Sequence, residues 1–499
     1  MNSSQLLERN ARKYPSREAV VSQKERLTYE QLDRLVNQFG SAVKEAGIQR
    51  GDKVALFVPN VTEFVVAYFA MQRLGAVVVP INVKLALPEV EHILKHSEAK
   101  ALIAHQMVFH TVKMTSFSGL KIKTGPEAPG WMDFNALLNS GDPDPIFCGC
   151  TEDDESTILY TSGTTGDPKG VLFSYRNILT VASMICIEME VKPESRILLM
   201  MPLSHSAPLH LFLMAGMMVG STLVLTPAFT PELLINTVEE ERTTHFFGAP
   251  VAYLATLTHP RLKEADLSSM KWWVYGGAPL SENEVRQVKQ AFQTDQLVCV
   301  YGLTEAGPSG TLLLGDEHDQ KAGSIGKRGA QGTEIRLVDD NGEDVPQGEI
   351  GEIVLRGEGN MLGYYRNEAA TNAVYLGEWL KTGDLAKQDE EGYFFIVDRK
   401  KDVIITGGVN VYPKEIEEAL LQFGIKEAAV IGVPHPEWGE TVKAIFAADG
   451  KVEESELRAF LEERLAKFKV PRMYEQVDAL PRNASGKILK QPLREGSKV

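Results

Sequence analysis

Helical and strand-like patterns alternate along the first part of this chain, and this alternation constrains its fold more than any other feature of the sequence. A capping box at Thr28 opens a helix with one apolar face, and Gly47 ends that helix. The strand-like run Val54–Val58 follows, and the cycle repeats with an apolar helix over Glu63–Leu74 and a continuous apolar strand over Ala76–Pro80. Such alternation predicts a layered α/β fold.

The middle of the chain continues the same pattern, so ligand-binding loops are expected at the carboxyl ends of its strands. An uncharged stretch over residues 206–227 has about the length of a membrane span, but prolines, glycines and polar residues interrupt it. We therefore predict a buried helix, a turn and a buried strand there, and no transmembrane segment. The predicted strands of this part are Ser156–Tyr160, Thr222–Thr226, Lys271–Tyr275 and Gln296–Tyr301, with a helix over Pro231–Glu241.

A chain of 499 residues is too long for one compact core, so more than one domain is expected. From about residue 323 the pattern changes to short strands with turn signals, which predicts a β-rich subdomain over 323–399. A compact α/β pattern then resumes, and the predicted organisation is a large N-terminal domain, residues 1–399, and a small C-terminal domain, residues 400–499. The elements predicted in the small domain are helices over Pro413–Gln422 and Glu454–Ala466 and a strand over Glu427–Ile431.

The net charge of the chain argues against two classes of partner. A formal net charge of −15 argues against nucleic acid and anionic membranes, because both would be repelled. Residues 467–499 are the exception, since they carry eight Lys/Arg against three Asp/Glu, a net +5 that suits a partner with phosphates.

Four scattered cysteines make no disulfide framework, and the N-terminal residues show no signal-peptide pattern, so we expect the protein to lie in the cytoplasm. Cys148 and Cys150 are expected to be ordinary thiols, because no second Cys/His pair stands at zinc-site spacing.

A segment rich in hydroxyls and glycines follows the strand predicted at Ser156–Tyr160 and ends in a lysine. Backbone N–H groups and hydroxyls in such a segment can wrap a phosphate chain. It is not a Walker A loop, because Pro168 stands where that loop has its second glycine and Gly170 follows the lysine. We predict a phosphate loop of another type, formed by Thr161, Ser162, Gly163, Thr164, Thr165, Gly166 and Lys169.

The whole segment Tyr160–Gly170 resembles the phosphate-loop signature of the adenylate-forming superfamily, which holds acyl-CoA synthetases, peptide-synthetase adenylation domains and beetle luciferases. The resemblance extends over nearly the whole chain and is greatest to bacterial medium- and long-chain fatty-acid–CoA ligases. It implies an α/β fold in which a small mobile C-terminal domain follows a large N-terminal domain. Five further segments resemble motifs of that family in the same order, namely Tyr301–Glu305, Lys381–Asp384, Asp398–Asp402, Gly407–Glu415 and Pro481–Lys487.

The resemblance implies an ATP site with Mg²⁺, and coenzyme A as co-substrate. Thr161–Lys169 would hold the β- and γ-phosphates, Thr304 would contact the α-phosphate, and Glu305 would hold Mg²⁺. Asp384 would accept hydrogen bonds from the ribose hydroxyls, with Arg399 as its companion. The adenine would lie against Gly276, Gly277, Ala278, Pro279, Tyr301 and Gly302.

The chemistry itself requires a positioned cation more than a general base. A carboxylate is already ionised near neutral pH, since its pKa is roughly 4 to 5, so the difficulty lies in bringing two anions together. The resemblance implies that Lys487 supplies this cation. For the second step it implies rotation of the C-terminal domain about a hinge at Lys401, a thiol channel and an acyl pocket. The channel would be formed by Gly407, Gly408 and Tyr412, and the pocket by His205, Phe247, Gly302 and Gly307.

The identity of the acid is the least constrained part of the prediction. Ser204, His205 and Ser206 stand where amino-acid-adenylating relatives carry an aspartate, so an amino-acid substrate is disfavoured. The presumed pocket segments, residues 206–212, 246–250 and 306–310, contain no Arg or Lys to pair a second carboxylate, which disfavours dicarboxylates. A medium- or long-chain fatty acid is the first prediction, and an aromatic or cyclic acid of the coumarate, benzoate or succinylbenzoate type is the alternative.

Three further alternatives stay open at this point. The chain could load a carrier protein in place of free coenzyme A, oxidise its adenylate as a luciferase does, or bind nucleotide as a noncatalytic regulator. The sequence leaves both a monomer and a homodimer open.

Overall fold

The computed structural model describes residues 2–161, 168–482 and 487–497. The chain forms two compact units, and the predicted α/β class is confirmed in both. The described part of the first unit lies in Met1–Thr161, Pro168–Ile335 and Leu355–Leu380, and that of the second in Arg336–Val354 and Lys381–Val499. The predicted domain boundary at residue 399 stays a prediction.

Sixteen α-helices and twenty-six strands occur in the described residues. The helices are α1 Ser4–Lys13, α2 Tyr29–Glu45, α3 Thr62–Leu74, α4 Leu87–His96, α5 Phe109–Val112, α6 Phe134–Ser140, α7 Tyr175–Glu188, α8 Met214–Val219, α9 Pro231–Glu241, α10 Pro250–Leu257, α11 Glu282–Ala291, α12 His318–Lys321, α13 Glu368–Val374, α14 Pro413–Phe423, α15 Glu454–Glu462 and α16 Lys490–Glu495. The strands are β1 Glu18–Val21, β2 Arg26–Thr28, β3 Lys53–Phe57, β4 Val77–Pro80, β5 Ala101–Ala104, β6 Leu120–Lys123, β7 Met132–Asp133, β8 Glu155–Thr161, β9 Lys169–Ser174, β10 Arg196–Leu199, β11 Thr222–Leu225, β12 His245–Gly248, β13 Trp272–Gly276, β14 Leu297–Tyr301, β15 Thr311–Leu313, β16 Thr333–Val338, β17 Ile350–Gly357, β18 Gly363–Tyr364, β19 Tyr375–Leu376, β20 Trp379–Gln388, β21 Phe394–Arg399, β22 Ile404–Thr406, β23 Val409–Val411, β24 Glu427–His435, β25 Gly439–Ala447 and β26 Met473–Gln476.

Two eight-stranded sheets organise the first unit. One has the strand order β15-β14-β13-β12-β10-β11-β1-β2, and the other has the order β18-β9-β8-β4-β3-β5-β6-β7. In the first sheet, β10, β12, β13 and β14 pair in parallel with one another in that order, whereas β15 pairs antiparallel with β14, and in the second sheet β3 pairs in parallel with both β4 and β5. Strands buried on both faces of a parallel sheet are expected to read as continuous apolar runs, as Val77–Pro80 does.

Local sequence signals explain the boundaries of these elements. The Thr28 side chain accepts from the Gln31 backbone N–H and the Gln31 side chain accepts from the Thr28 N–H, so the predicted capping box opens α2. Helix α3 ends at Gly75, which adopts φ +72, a left-handed conformation that glycine takes without steric cost. The second sheet then buries Phe57 and Val79 against Ile93 of α4.

The second unit contains a smaller sheet. Its strand order is β23-β22-β25-β24, with β26 beside β25, and α14 and α15 cover it through Ile416, Leu420 and Leu457. Helix α14 matches the predicted range to within one residue and ends at Gly424 with φ +104. Helix α15 ends at Glu462 rather than at Ala466, because the chain passes into an irregular turn there.

The apolar stretch predicted as one buried helix begins differently. Residues Ala207–Leu213 form a π-helix, and only Met214–Val219 are α-helical before the buried strand β11. Such wide turns are rare and are frequently found at functional sites. Within the described residues, no helix has both the length and the apolar character that crossing a bilayer requires.

Candidate active site

Most of the predicted site residues of the first unit lie at one edge of its first sheet. Strands β10, β12, β13 and β14 are neighbours and run in parallel, so the loops after them leave the sheet at the same edge. His205 follows β10, Phe247 lies near the end of β12, Gly276 ends β13, and Tyr301 ends β14. The carboxyl edge of a parallel sheet is the usual place for a ligand site in an α/β protein.

The predicted phosphate loop joins two antiparallel strands of the second sheet. Thr161 at the end of β8 lies opposite Lys169 at the start of β9. The predicted residues Ser162, Gly163, Thr164, Thr165 and Gly166 lie outside the described residues. The strand pairing therefore defines where the loop leaves and re-enters the sheet, and it places the Lys169 side chain at the loop's exit.

Lys169, Tyr364 and Glu305 form a continuous set of contacts. The Lys169 Nζ atom lies 4.9 Å from the centre of the Tyr364 ring, a cation–π distance. The Tyr364 hydroxyl donates a hydrogen bond to Glu305 Oε1 at 2.8 Å, and the Met361 N–H donates to the Glu305 carbonyl oxygen at 2.8 Å. The segment around Tyr364 thus holds Glu305 by both its side chain and its backbone.

Sequence reasoning did not select Tyr364. Strand β18 pairs antiparallel with β9, with Tyr364 opposite Val171, and this register brings its ring to Lys169. A glycine-tyrosine pair in a loop-rich segment carries no local signal of such a contact. Only the pairing of two strands distant in sequence makes Tyr364 a candidate positioning residue.

Two predicted site residues on this edge, Thr304 and His205, each have a polar neighbour. Thr304 Oγ1 lies 3.2 Å from Ser206 Oγ, so the two hydroxyls share a hydrogen bond. His205 Nε2 lies 3.4 Å from Asn82 Nδ2. Asn82 follows β4 in the second sheet, and the rule that ligand groups follow parallel strands could have found it from the sequence.

Three glycines of the site cannot carry a side chain. A Cβ atom on Gly276 would lie 2.7 Å from the Val300 carbonyl oxygen, and one on Gly302 would lie 2.2 Å from the Pro308 carbonyl oxygen. Gly307 has φ +82, and a Cβ there would lie 2.3 Å from the Gly359 carbonyl oxygen. The walls at these points are bare backbone, which allows a flat ligand to approach closely.

His210 lies fully buried in the π-helix with no polar partner of good geometry on either ring nitrogen. Phe173 packs edge-on against it at 4.9 Å between ring centres. Burial lowers the pKa of His210 to about 3, although a nearby Gly307 backbone group opposes the effect. The imidazole is therefore neutral at physiological pH, which indicates apolar surroundings.

The His210→Leu variant is expected to lose less stability in acid than the wild type. Below the unfolded pKa of about 6.5 the unfolded chain binds a proton that folded His210 does not, so wild-type stability falls as the pH drops from 6.5 towards 3. At pH 5 this amounts to roughly 2 kcal/mol. Thermal unfolding midpoints at pH 7.5 and pH 5 measure the difference. The exposed His110→Leu control should behave like the wild type, and equal acid losses in both variants would contradict the assignment.

The remaining predicted residues belong to the second unit. Asp384 on β20 lies opposite Arg399 on β21, and Arg399 Nη1 lies 2.7 Å from Asp384 Oδ1. Lys401 lies in a single 3₁₀ turn. Burial lowers the pKa of Lys401, the neighbouring Asp402 raises it, and the positive charges of Arg399, Arg494 and Lys490 lower it further.

The two predicted channel glycines form a tight turn. Gly407 and Gly408 have φ +58 and φ +79 and connect β22 with β23, while Tyr412 precedes α14. The Lys487 side chain is exposed. Residues 483–486, which lead into it, lie outside the described residues.

Glu305 is the predicted Mg²⁺ ligand. Among the residues that the structure describes, no group of three or more His, Cys, Asp or Glu side chains is arranged to hold a metal ion. In nucleotide sites Mg²⁺ commonly takes one or two carboxylates and completes its shell with phosphate oxygens and water. A single carboxylate, oriented by Tyr364, fits that donor set.

The first unit combines a lysine on the paired strands β8 and β9, an oriented carboxylate and bare backbone walls at the edge of a parallel sheet. These features fit a nucleotide-handling α/β enzyme. The sequence profile of the AMP-binding enzyme family matches residues 7–365, and that of the AMP-binding enzyme C-terminal domain matches residues 415–487. The chain therefore belongs to the family of AMP-binding enzymes.

Similar proteins narrow the class further. Feruloyl-CoA synthase of Amycolatopsis sp. is 38% identical over 97% of both chains. The long-chain-fatty-acid–CoA ligase FadD13 of Mycobacterium tuberculosis is 36% identical over 94% of this chain and 93% of its own. The crystal structure of ATP-bound MatB from Rhodopseudomonas palustris superposes with a TM-score of 0.89 at 30% identity, covering 100% of this chain and 99% of that one. The chain is thus an AMP-forming acid–thiol ligase, and the predicted adenylate-forming fold, a large N-terminal domain with a small C-terminal domain, is confirmed.

Proposed function

We propose that this ligase joins an apolar monocarboxylic acid to coenzyme A through an acyl-adenylate. In the first step a carboxylate oxygen of the acid bonds to the α-phosphorus of ATP, and the bond to the β-phosphate oxygen breaks to release pyrophosphate. In the second step the thiol of coenzyme A bonds to the acyl carbon, AMP leaves, and the thiol proton passes to solvent. ATP is supported as the nucleotide because the similar MatB structure holds it.

The first unit would bind the phosphates. Thr161 and Lys169 flank the proposed phosphate loop, and Thr304 offers its hydroxyl to the α-phosphate. Glu305 would hold Mg²⁺, which would supply positive charge for the departure of pyrophosphate. Tyr364 orients the carboxylate by a hydrogen bond, so it is a positioning residue rather than a catalytic one.

The adenine would be bound by residues of the first unit. The turn Gly276–Pro279 and the bare backbone at Gly302 leave space for the adenine, and Tyr301 offers a ring face. The paired carboxylate of Asp384 can accept from the ribose hydroxyls while Arg399 holds it in place.

Lys487 would act in the first step and the glycine turn in the second. Lys487 would carry the positive charge that lets the two anionic substrates approach each other. The turn at Gly407 and Gly408, with Tyr412, would line the route of the thiol, and Lys401 stays the proposed hinge between the two states. His205, held by Asn82, would form the floor of the acyl and thiol channel.

The full burial of His210 among pocket segments without a cationic side chain is the observation that carries the proposal of an apolar acid. His210 lies within the pocket segment 206–212, Phe173 packs edge-on against its ring, and burial lowers its pKa to about 3, so these surroundings are of low polarity. No Arg or Lys occurs in residues 206–212, 246–250 or 306–310. A medium- or long-chain fatty acid is our first candidate, supported by the 36% identity to the mycobacterial fatty-acid ligase.

An aromatic acid is the second candidate, because of one contact and one relative. Phe212 and Phe247 stack with their ring centres 5.5 Å apart and so present an aromatic wall at the proposed pocket. The feruloyl-CoA synthase of Amycolatopsis sp. shares 38% identity over nearly the whole chain.

A panel of acids tests the proposal. Pyrophosphate release is measured with ATP, Mg²⁺ and one acid at a time, from octanoate and palmitate to ferulate, coumarate, benzoate and malonate. We expect the highest kcat/KM with a fatty acid, a lower value with the aryl acids, and none above background with malonate. A ferulate optimum would replace the first candidate by the second. Repeating the assay with and without coenzyme A separates a CoA ligase from a carrier-loading or luciferase-like enzyme, and no pyrophosphate with any acid would indicate a noncatalytic regulator.

The Tyr364→Phe variant is expected to need about tenfold more Mg²⁺ for half-maximal adenylation. A hydrogen bond to a charged group contributes about 1.5–3 kcal/mol, and its loss frees the Glu305 carboxylate to turn away from the metal. The measurement is pyrophosphate release against Mg²⁺ concentration. Tyr365→Phe is the matched control, because the Tyr365 hydroxyl donates to Glu98, which is not one of the candidate site residues. An unchanged Mg²⁺ curve for Tyr364→Phe would remove its positioning role.

A further inference from the structure

The segment between α6 and β8 in the first unit brings two thiols together, and the ligase reaction uses neither of them. Cys148 Sγ and Cys150 Sγ lie 2.7 Å apart, in hydrogen-bond contact. Gly149 between them adopts φ +66, a left-handed conformation that turns the chain tightly enough for the two side chains to meet. A disulfide needs about 2.05 Å between its sulfurs, so a shift of under an ångström would join them.

The two sulfurs differ in their surroundings. Cys148 Sγ accepts hydrogen bonds from Asn2 Nδ2 at 3.2 Å and from the Cys150 backbone N–H at 3.4 Å. Cys148 also lines a surface groove, and Cys150 is not among the residues that line it. Burial raises the pKa of Cys150 to about 12, and the neighbouring Cys148 adds to this effect. Cys148 is therefore the attacking thiol and Cys150 the one that follows.

The end of α3 leaves room for the pair, since a Cβ on Gly75 would lie only 2.4 Å from Cys150 Sγ.

A surface groove of about 400 Å³ leads to Cys148. Lys44 and Arg50 provide positive charge along it, although Arg50 also pairs with Asp154 at 2.6 Å. Phe147, which is 85% exposed, adds an apolar wall. A small molecule with negative charges and a short apolar body fits these walls.

We propose that Cys148 and Cys150 are a redox-active dithiol that reduces small anionic disulfides of the glutathione type. The Cys148 thiolate bonds to one sulfur of the disulfide, whose S–S bond breaks and releases the first small thiolate. The Cys150 sulfur then bonds to Cys148 Sγ, releasing the second small thiolate, and the Cys150 proton passes to solvent. Two electrons move from the protein sulfurs to the small molecule, and the protein is left with a Cys148–Cys150 disulfide.

The stoichiometry of the reaction with dithiobis(nitrobenzoate), an anionic disulfide, tests the proposal on the native chain. Wild type is expected to release two thionitrobenzoates per chain and to end two hydrogen atoms lighter, with no label retained. Cys150→Ser is expected to release one and to keep one as a stable label on Cys148, while Cys148→Ser should react at least tenfold more slowly. Cys186 and Cys299 serve as internal controls, because burial raises the pKa of each to about 12. A wild-type chain that keeps its label would overturn the proposal.

The charge of the groove is tested with two disulfides of opposite sign. Lys44→Gln is expected to slow the first step with the anionic disulfide about fivefold at low salt and to leave the rate with cystamine, a cationic disulfide, unchanged or slightly higher. Equal effects on both reagents would remove the groove from the proposal. All cysteine variants should retain acyl-CoA synthesis, which shows that they are folded, and a failure of the ligase proposal would leave the thiol results standing.

Discussion

Replacing Lys487 by alanine is expected to slow acyl-adenylate formation by about a hundredfold to a thousandfold and to leave the second half-reaction nearly unchanged. Both substrates of the first step are anions, and the proposed role of this lysine is to lie between the carboxylate and the α-phosphate. In the second step a thiol attacks the acyl carbon and pyrophosphate has already gone, so this charge is no longer required. Pyrophosphate release measures the first step, and thioester formation from supplied acyl-adenylate measures the second.

A second lysine of the same unit provides the control for Lys487. The exposed Lys467 lies in the same basic C-terminal part of the chain, and Lys467→Ala should leave both half-reactions within about twofold of wild type, as surface substitutions usually do. Lys487→Arg should recover only part of the rate, because a planar guanidinium does not replace a compact ammonium. If Lys487→Ala slowed both half-reactions equally, the division of labour between the two steps would be wrong.

Replacing Glu305 by glutamine is expected to lower the adenylation rate by about a hundredfold and to raise the Mg²⁺ concentration needed for half-maximal rate by more than Tyr364→Phe does. The amide has the size of the carboxylate and can still accept from Tyr364, so the variant removes charge with little change of shape. Mg²⁺ strongly prefers charged oxygen ligands, and the first step depends on charge supplied to the leaving pyrophosphate. Pyrophosphate release across a Mg²⁺ titration measures both effects.

Glu358→Gln is the matched control for this substitution. Glu358 is exposed and lies in the same unit. Its side chain accepts a long hydrogen bond of 3.3 Å from the Thr180 hydroxyl. The Glu358→Gln substitution should leave the adenylation rate and its Mg²⁺ dependence unchanged. A Glu305→Gln variant with the wild-type Mg²⁺ curve would show that the metal is held by other groups.

Much of the secondary structure was readable from local patterns. The capping box at Thr28, the glycine at position 75 and the apolar run at Val77–Pro80 act over a few residues, and the structure confirms each of them. The π-helix Ala207–Leu213 was not predicted, because an apolar stretch has no period that separates a π-helix from an α-helix. Helix α15 was predicted four residues too long for a related reason, since helix ends depend on weak terminal contacts.

The candidate site was only partly readable. Glycines such as Gly302 and Gly307 stood out in the sequence, but the carbonyl oxygens that exclude a Cβ there belong to Pro308 and Gly359. Asn82 could have been found by following the carboxyl ends of the parallel strands. Tyr364 could not, because its 59-residue separation from Glu305 carries no periodic signal.

The sequence by itself determined the alternation of elements, the family motifs and their order, because periodicity and turn chemistry are encoded by neighbouring residues. Tertiary structure alone decided which side chains meet. The register of β18 on β9 brings Tyr364 to Lys169, and the Tyr364 hydroxyl meets Glu305 from 59 residues along the chain. Strand register and loop closure depend on the whole buried surface of the unit, so no local pattern could have specified these contacts.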